Sequence, residues 1–558
     1  MQSRNKMKLT NRFIAGLIGV ATIFIGTSAA TSADLYEVGK NIDIFTSIYK
    51  ELNTYYVDDV DPNKLMRTGI DAMLESLDPY TNYISEAEIE GYKFQITGNY
   101  GGIGASIRTI EGKSTVMECY PGFAADKAGI IPGDIITEID GKKLNGDNNE
   151  SVSDLLRGSP GSTVNIKIYR PYADKNLDLT VTREDIDVHN VPYSGFVKDH
   201  IGYIILEQFT EDAGLHVGNA LKDLKAKDPA LSAVILDLRS NPGGLLREAV
   251  NVSNVFINKG EEVCSTLGKV KEWDKTFNTL NNAVDANIKL VVLTNSSSAS
   301  ASEIVAGTIQ DYDRGVILGQ KSFGKGLVQT TRDISFNTKL KLTTAKYYIP
   351  SGRCIQALDY THRNPDGSVG KVPDSLKTAF KTKSGRIVYD GGGIDPDVLV
   401  ERKDYKDITA SLITKNYIFN YATKYHAEHE SIGEAKNFAL TDKEYDEFVK
   451  WLEDKEYSYT TSTERSLDNL ESNTKEDAFY TTVKHDIDHL REAIANDKKN
   501  DLYKFKDEIM AELNIEIASR YYNGTGRIES SFRFDDDVQR AIEVLEDQAT
   551  YNSLLQPK

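Results

Sequence analysis

The sequence predicts a multidomain α+β protein in which a small β-rich module precedes an α/β core, with helical regions on both sides. Three observations predict this arrangement. Residues 95–184 are rich in glycine and β-branched residues and contain short strand-like runs. Residues 185–400 alternate apolar strand-like runs with helical patterns, which is typical of βαβ units. Residues 34–94 and 401–558 show helical patterns, and the second of these regions is highly charged.

Length and composition exclude several classes of protein. The 558 residues correspond to three or four domains at about 150 residues each. The chain has 84 acidic and 66 basic residues, a net charge of −18, which disfavours nucleic acid as a general partner. Cys119, Cys264 and Cys354 are far apart and form no CxxC pair, which argues against a disulfide framework or a zinc site. We expect neither a metal nor another cofactor.

The first 33 residues resemble a targeting segment. An uncharged apolar run at 13–26 and small residues at 27–33 follow four basic residues, Arg4, Lys6, Lys8 and Arg12. This order predicts a secretory signal, and the 14-residue run is short of the roughly 20 residues of a membrane-spanning helix. An uncleaved anchor is the alternative. Both readings place the protein outside the cytoplasm, either soluble in the periplasm or associated with the inner membrane through its N-terminus.

The helical region 34–94 contains sequence signals for two helices. Its first helix is predicted from apolar residues that recur every three or four positions, Ile44, Ile48, Leu52 and Tyr55. Asp61 followed by Pro62 predicts an N-cap and the first position of a second helix.

A serine-rich turn is the strongest candidate for chemistry. A buried strand ends at about Thr294, and a helix is predicted shortly after it. A serine at such a turn can present its hydroxyl at the positive end of the helix dipole, as a nucleophile requires. Ser300 and Glu303 also form an S-x-x-E capping box, which is the structural alternative. The pattern alone does not choose Ser300 over Ser298 or Ser302.

The segment from Gly319 to Gly326 nearly matches the phosphate-binding pattern G-x-x-x-x-G-K-[ST]. Gly326 replaces the Ser/Thr that would hold magnesium, and residues 327–331 are typical of a strand, not of the required helix. Nucleotide binding through Lys325 is therefore a weak alternative. Burial disfavours the charged form of a lysine, and a neutral Lys325 can accept a proton from a serine.

Two glycine turns are candidate binding elements. Residues 241–244 follow a buried strand, and their backbone N–H groups can bind a developing oxyanion. Residues 100–107 combine a glycine turn with an alternating strand, which can form an anion nest beside a strand edge that accepts an extended peptide. The alternatives are an ordinary strand-to-helix turn and a glycine-rich hairpin.

Together these motifs resemble the carboxy-terminal processing proteases, also called tail-specific proteases. The core segments that carry the resemblance are Asn-Pro-Gly-Gly at 241–244, Ser-Ala-Ser-Ala-Ser-Glu at 298–303 and Phe-Gly-Lys-Gly-Leu-Val-Gln at 323–329. Segments 102–104, 128–134 and 156–158 are similar to the PDZ domain of the family, and segment 76–80 is similar to its N-terminal region. The order of the motifs from residue 34 to residue 400 makes the resemblance specific.

The resemblance implies a secreted or periplasmic serine endopeptidase whose α/β core is similar to crotonase and the ClpP protease. Ser300 would be the nucleophile, Lys325 the general base and Gln329 the residue that orients the lysine. The resemblance assigns the oxyanion hole to amides near Gly243, Gly244 and Ala301.

The resemblance also implies a substrate-binding PDZ domain at 95–184, between the helical region and the protease core at 185–400. Its loop Gly101, Gly102, Ile103 and Gly104 would capture the free carboxylate of a substrate tail, and the expected partners are exported proteins with free C-terminal tails. Arg157 resembles an arginine that links tail binding to an assembled active site in some members.

Two questions stay open at the level of sequence. A non-catalytic PDZ scaffold or chaperone built on a protease-like core is the rival to an enzyme. Residues 401–558 match none of the motifs above, and a lid, a dimerisation element and a docking surface are their candidate roles. A homodimer is accordingly one candidate assembly.

Overall fold

The computed structural model describes residues 32–144, 152–364 and 366–557. The predicted secretory signal or anchor, residues 1–33, lies almost entirely outside this part of the chain. Within the described ranges, no helix combines the length and the apolar character that a membrane crossing requires. The chain divides into two compact units, Met1–Tyr83 and Ile84–Lys558.

The first unit contains the helices α1 (Ser32–Tyr55) and α2 (Pro62–Glu75). The side chain of Asp61 accepts hydrogen bonds from the first amides of α2, and Pro62 occupies the first helical position, as the sequence predicts. Many apolar side chains of α1 are exposed, including Tyr36, Ile42, Phe45 and Ile48. Strand β1 (Asn82–Ile84) lies at the boundary of the two units.

The second unit begins with a β-rich module. Its helices are α3 (Ile89–Thr97), α4 (Ala124–Lys127) and α5 (Val152–Leu156). Its strands are β2 (Asn99–Gly102), β3 (Ala105–Ile110), β4 (Lys113–Cys119), β5 (Ile135–Ile139), β6 (Lys142–Lys143), β7 (Thr163–Arg170), β8 (Lys175–Thr182) and β9 (Glu184–Asp187). Strands β3-β4-β5-β7-β8 form an antiparallel sheet in that order, with β6 beside β5, while β2 pairs with β9. Alternate residues of β7, among them Ile166 and Ile168, are fully buried in the module's apolar core.

The core consists of one large, mostly parallel sheet and a second antiparallel one. The large sheet has the order β10 (Tyr193–Lys198), β11 (Ile201–Ile205), β12 (Ala233–Asp237), β15 (Lys289–Thr294), β16 (Val316–Gly319) and β23 (Val398–Leu399), and β10 alone of these runs antiparallel to its neighbour. The second sheet includes β13 (Glu262–Gly268), β14 (Lys275–Asn278), β17 (Leu327–Asp333) and β18 (Lys339–Tyr348). Two hairpins follow, β19 (Leu358–Arg363) with β20 (Val369–Lys371), and β21 (Ala379–Lys381) with β22 (Ile387–Tyr389).

Helices cover both faces of the large sheet. One face packs against α6 (Ala213–Lys227), α7 (Leu246–Phe256) and α8 (Ala301–Asp311). The other face packs against α16 (Asp536–Glu546) and α17 (Gln548–Leu554). In β12, Leu236 faces the first layer and Ile235 the second, and both are fully buried, as in parallel sheets generally.

The C-terminal region therefore supplies the second helical layer of the core. Its remaining helices are α9 (Asp407–Thr414), α10 (Tyr417–Glu428), α11 (Asp442–Trp451), α12 (Ser462–Glu476), α13 (Tyr480–Lys498), α14 (Asp501–Lys504) and α15 (Lys506–Ser531), which include a separate apolar cluster. This region also touches the β-rich module, where Gly133 approaches Thr423 so closely that a Cβ atom would lie 2.4 Å from Cγ2 of the threonine. Its packing on the sheet is a role that the sequence alone did not reveal.

Candidate active site

Ser300 lies at a sharp turn between β15 and α8. It precedes the first residue of α8 and has φ 56° and ψ −111°, a region that costs a non-glycine residue energy. The helix that follows is fully buried and the strand is buried from Leu290 to Thr294, so they can hold this conformation. A strained strand-to-helix turn of this kind points a serine hydroxyl away from the sheet at the N-terminus of a helix.

Tertiary contacts distinguish the three serines of this turn. The hydroxyl of Ser298 donates to the carbonyl of Leu238 at 2.7 Å, and that of Ser302 donates to the carbonyl of Asn241 at 2.9 Å. Both side chains are completely buried. Ser300 is half-buried and lines a cavity. The two flanking serines therefore fasten the turn to the neighbouring loop and leave Ser300 facing open space.

The buried carboxylate of Glu303 joins this turn to the lysine loop. It accepts hydrogen bonds from the backbone N–H groups of Ser300 (2.8 Å), Lys325 (2.8 Å) and Gly324 (2.7 Å), and from the hydroxyl of Ser322 (2.5 Å). Burial raises the pKa of Glu303 to about 7, and these four hydrogen bonds oppose that rise. The predicted capping contact to Ser300 thus exists as part of a larger network.

Tyr347 on β18 forms a second bridge between the same two segments. Its side chain is buried, and its hydroxyl lies 3.1 Å from the carbonyl oxygen of Ser300 and 2.7 Å from that of Lys325. The backbone N–H of Tyr347 donates to the carbonyl of Gly326 at 3.0 Å. Glu303 and Tyr347 together fix the backbones that carry the two predicted catalytic side chains.

Lys325 lies in a loop that leads into a strand. The residue is half-buried, and the flanking Gly324 lies so close to Ala357 that a Cβ atom would be 2.4 Å from the alanine Cβ. The N–H of Gly326 donates to the side chain of Gln356 at 2.7 Å, and β17 begins at the next residue. A phosphate-binding loop needs a helix at this point, so the geometry argues against the nucleotide alternative.

Gln329 on β17 lines the same cavity as Lys325. Its side-chain Nε2 donates to Oγ1 of Thr343 at 3.2 Å, across the β17–β18 pair in which the two residues are partners. This contact fixes the amide beside the lysine loop.

The glycine turn at 241–244 packs against the serine turn. Gly243 has φ +99°, and a Cβ atom there would lie 2.9 Å from the backbone nitrogen of Ala301. The N–H of Gly243 donates to the side chain of Asn241 at 2.9 Å. The N–H of Ala301, at the first position of α8, has no acceptor within its helix. Of the three residues expected to contribute amides to an oxyanion hole, Gly243 therefore has an N–H that already has an acceptor.

The serine turn, the lysine loop, β17 and the glycine turn line one cavity of about 490 Å³. All six residues that the sequence predicted for the catalytic centre line it: Gly243, Gly244, Ser300, Ala301, Lys325 and Gln329. Its other walls include apolar side chains of α7, α8 and β17, residues of α3, and Lys341. Glu303, Tyr347 and Lys341 were not singled out from the sequence as parts of a catalytic centre, because their roles depend on contacts between distant segments.

The predicted tail-binding loop lies in the β-rich module, outside the described lining of this cavity. Gly101 and Gly102 are in β2 and pair with β9, and the carbonyl of Ile103 accepts from the N–H of Ala125 at 2.7 Å. Gly104 has φ +75° and leads directly into β3. Strand β3 lies at the end of its sheet, so among the described strands its outer edge has no partner.

Arg157 packs against two aromatic rings in the same module as this loop. Its guanidinium lies 5.3 Å from the ring centre of Tyr100 and 5.9 Å from that of Phe94, within the range of cation–π attraction. Phe94 belongs to α3, whose residue Tyr92 lines the catalytic cavity and places its hydroxyl 2.5 Å from Oγ1 of Thr331. Helix α3 therefore connects the surroundings of Arg157 to the catalytic cavity.

Comparison with known proteins identifies the family of this chain. The family model "Peptidase family S41" matches residues 200–369, "PDZ domain" matches 101–181, and "Probable PDZ-protease, C-terminal helical domain" matches 408–545. A "Carboxy-terminal-processing protease" from Bartonella bacilliformis is 37% identical over 351 residues, 62% of this chain and 80% of that protein. The chain belongs to the carboxy-terminal-processing proteases of peptidase family S41.

Two further members of this family extend the comparison. A "Probable CtpA-like serine protease" from Staphylococcus aureus is 33% identical over 380 residues, 68% of both chains. One of the same name from Staphylococcus haemolyticus is 32% identical over 426 residues, 75% of this chain and 78% of that protein.

The family assignment confirms several predictions from sequence. The protein is a serine-type endopeptidase of the carboxy-terminal-processing group, with a PDZ domain, which is a peptide-binding module, before an α/β protease core. Its helical C-terminal region is also a recognised part of some such proteases. Family membership therefore favours an enzyme over the non-catalytic scaffold or chaperone that was its rival at the level of sequence.

Proposed function

We propose that this carboxy-terminal-processing protease cleaves peptide bonds with a Ser300–Lys325 dyad. The observation that carries the proposal is that both side chains line one cavity while Glu303 and Tyr347 hold their backbones together. The neutral amine of Lys325 accepts the proton of the Ser300 hydroxyl as Oγ attacks the scissile carbonyl. The same lysine then donates that proton to the leaving amine, and water hydrolyses the acyl-enzyme by the reverse sequence of transfers.

The proposed oxyanion hole consists of the N–H groups of Ala301 and Gly244. Ala301 is at the positive end of α8, which favours the negative charge that develops on the carbonyl oxygen. Gly243 contributes by packing without a Cβ atom against the nucleophile turn. Gln329, fixed by Thr343, orients the amine of Lys325.

A Ser–Lys dyad requires an uncharged lysine in its resting state. Ile304, Leu327 and Val328 contribute apolar walls to the cavity. Apolar surroundings disfavour the ammonium form of a lysine relative to the amine, which supports this requirement.

We also propose that the PDZ domain recruits substrates by their free C-terminal tails. The turn that ends at Gly104 would bind the terminal carboxylate through backbone N–H groups, and the tail would add as a strand to the open edge of β3. Ile103 and Gly104 form that turn, and Gly101 and Gly102 end the preceding strand β2. Arg157 would couple tail binding to the catalytic cavity through Phe94 of α3.

The proposed substrates are exported proteins. The basic and apolar composition of residues 1–33 supports export, with the mature enzyme either free in the periplasm or tethered to the inner membrane.

The exposed apolar side chains of α1 support a second proposal, that two copies of this chain pair through the N-terminal unit.

The proposed function is tested by a cleavage assay on a folded protein with an apolar C-terminal tail. The wild type, Ser300→Ala and Lys325→Ala are compared, with products sequenced by mass spectrometry and folding monitored by thermal unfolding. Lys321→Ala is the matched control, because Lys321 is in the same loop but forms an ion pair with Asp395 and is not among the cavity's lining residues. We expect cleavage by the wild type and the control alone. Full activity in folded Ser300→Ala or Lys325→Ala would refute the dyad.

A further inference from the structure

The catalytic cavity contains a second lysine that the proposed reaction does not use. Lys341 on β18 lines the cavity together with Ser300, Lys325 and Gln329. The described lining residues of the cavity include no aspartate, glutamate, histidine or arginine. Lys341 is therefore a cation in a cavity wall whose described residues include no carboxylate.

Strand register places Lys341 on the same face as the polar residues of the site. Lys341 is the partner of Thr331 across the β17–β18 pair. Thr343, two positions further along β18, is the partner of Gln329 and accepts a hydrogen bond from its side chain. Residues two apart on a strand point to the same side, so Lys341 and Thr343 lie on one face of β18, and Lys341 is the one of the two that lines the cavity. Thr331 lies four residues beyond Leu327, about 13 Å along an extended strand.

Lys341 carries an electrostatic cost that its own chain does not offset. The side chain is half-buried, and burial lowers its pKa with no charged group of the described residues opposing the effect. Lys339 on the same strand differs, since it forms an ion pair with Asp333. A buried cation that lacks a partner gains most from an anion that arrives with a ligand.

We propose that Lys341 is a specificity-determining residue that binds a carboxylate of the substrate within about four residues of the scissile bond. This inference rests on the proposed function, since it assumes that the peptide occupies the cavity that contains Ser300. The carboxylate has two sources, an acidic side chain of the substrate and the C-terminal carboxylate of its main chain. An ammonium–carboxylate pair in a partly buried site selects strongly against neutral and basic groups at that position.

The test compares matched peptides after mass spectrometry has located the bond that the wild type cleaves. One series carries Glu, Gln or Lys at each neighbouring position in turn, and a second pair differs only in a free or amidated C-terminus. For the wild type we expect kcat/KM for one carboxylate peptide to exceed that of its neutral partner by about tenfold. The position at which the ratio appears distinguishes a side chain from a chain terminus.

Variants then assign that preference to Lys341. Lys341→Met should abolish the ratio, Lys341→Glu should invert it in favour of the Lys peptide, and Lys341→Arg should retain it. Lys346→Met is the matched control, an exposed lysine on the same strand that is not among the cavity's lining residues, and it should keep the wild-type ratio. Thermal unfolding checks that each variant is folded.

Three results would overturn the inference. They are a wild type without preference for a carboxylate at any position, a preference that survives in Lys341→Met and Lys341→Glu, and a folded Lys341→Met that cleaves none of the peptides. The last result would make Lys341 part of the chemistry instead of part of specificity. Failure of the proposed function would appear differently, as cleavage that persists in Ser300→Ala.

Discussion

The carboxylate of Glu303 lies 2.8 Å from the backbone nitrogen of Lys325, on the loop that carries the proposed general base. The same oxygen accepts the N–H of Ser300, also at 2.8 Å, so one buried side chain sets the separation of the two segments of the dyad. Glu303 does not line the catalytic cavity. We therefore assign it the role of a positioning residue.

Replacement of Glu303 tests that role. In Glu303→Gln, an NH2 group faces donors that previously met a carboxylate oxygen, so at least one buried donor loses its acceptor. We expect a loss of about 2–4 kcal/mol in the free energy of unfolding. We also expect kcat to fall by about tenfold or more, because the serine and lysine loops separate. Urea unfolding and steady-state kinetics measure the two effects, and a wild-type kcat in the variant would argue against positioning.

The raised pKa of Glu303 predicts a pH dependence of stability. Its carboxyl titrates near 4.5 in the unfolded chain and near 7 in the folded protein, so the unfolded state loses the proton first. The contribution of Glu303 to stability is therefore complete below about pH 4.5 and is lost as the pH rises towards 7, by about 3 kcal/mol in total. Urea unfolding at a series of pH values should show this decline in the wild type relative to Glu303→Gln. Parallel curves for the two proteins would contradict it.

Tyr347→Phe removes the hydroxyl that bridges Ser300 and Lys325 but keeps the buried ring. We expect a loss of about 1–2 kcal/mol in stability together with a lower kcat. Tyr445→Phe is the control, because its buried hydroxyl also meets a backbone carbonyl, that of Leu502, but within the C-terminal helical cluster. The control should lose similar stability and keep the wild-type kcat. Equal kcat values for both variants would show that the Tyr347 bridge has no catalytic consequence.

Helix α16 should contribute strongly to the stability of the protease core. Leu545 is 2% exposed and packs on the large sheet, so Leu545→Ala leaves a cavity and should cost about 2–4 kcal/mol. Leu470→Ala on α12, where the side chain is 46% exposed, should change stability by less than about 0.5 kcal/mol. Chemical unfolding monitored by a probe in the protease core checks both. A core transition unaffected by Leu545→Ala would separate the helical region from the core energetically.

The exposed apolar face of α1 predicts self-association. Ile42 and Ile48 are 60% and 55% exposed, and charge at these positions should prevent a dimer built on this face. We expect the wild type to elute as a dimer and the double variant Ile42→Glu, Ile48→Glu as a monomer, measured by light scattering. Asp43→Ala on the same helix is a control that should remain dimeric. A monomeric wild type at micromolar concentration would refute the pairing.

The motifs of the candidate catalytic centre could be recognised because each is a local pattern in the sequence. Each can be recognised from a few consecutive residues: a strand that ends in serines, a turn rich in glycine and a lysine between glycines. The choice of Ser300 could not be made that way, since Ser298 and Ser302 share its local pattern. It depends on the carbonyls of Leu238 and Asn241, which lie about sixty residues earlier and occupy the other two hydroxyls.

The packing of the C-terminal region on the large sheet could not be predicted from sequence for a related reason. The apolar stripe of α16, which includes Val538, Ala541 and Leu545, looks the same whether it faces a sheet or another protein. Only the register of the large sheet shows that Ile235 and Leu293 need a cover on that side. Lys341 is a similar case, because a single lysine in an alternating strand has no distinguishing pattern.

The packing of α16 on the large sheet sets an order of events during synthesis. The ribosome makes Ser300, Lys325 and every strand of that sheet well before it makes Asp536, the first residue of α16. Until then Ile235, Val291 and Leu293 lack the apolar side chains of α16 and α17 that complete their cluster on that face, so the nascent core lacks part of its burial energy. The protease therefore gains a fully supported catalytic turn only once its helical region has been translated. This delay separates synthesis of the proposed nucleophile from completion of the helical layer that supports it.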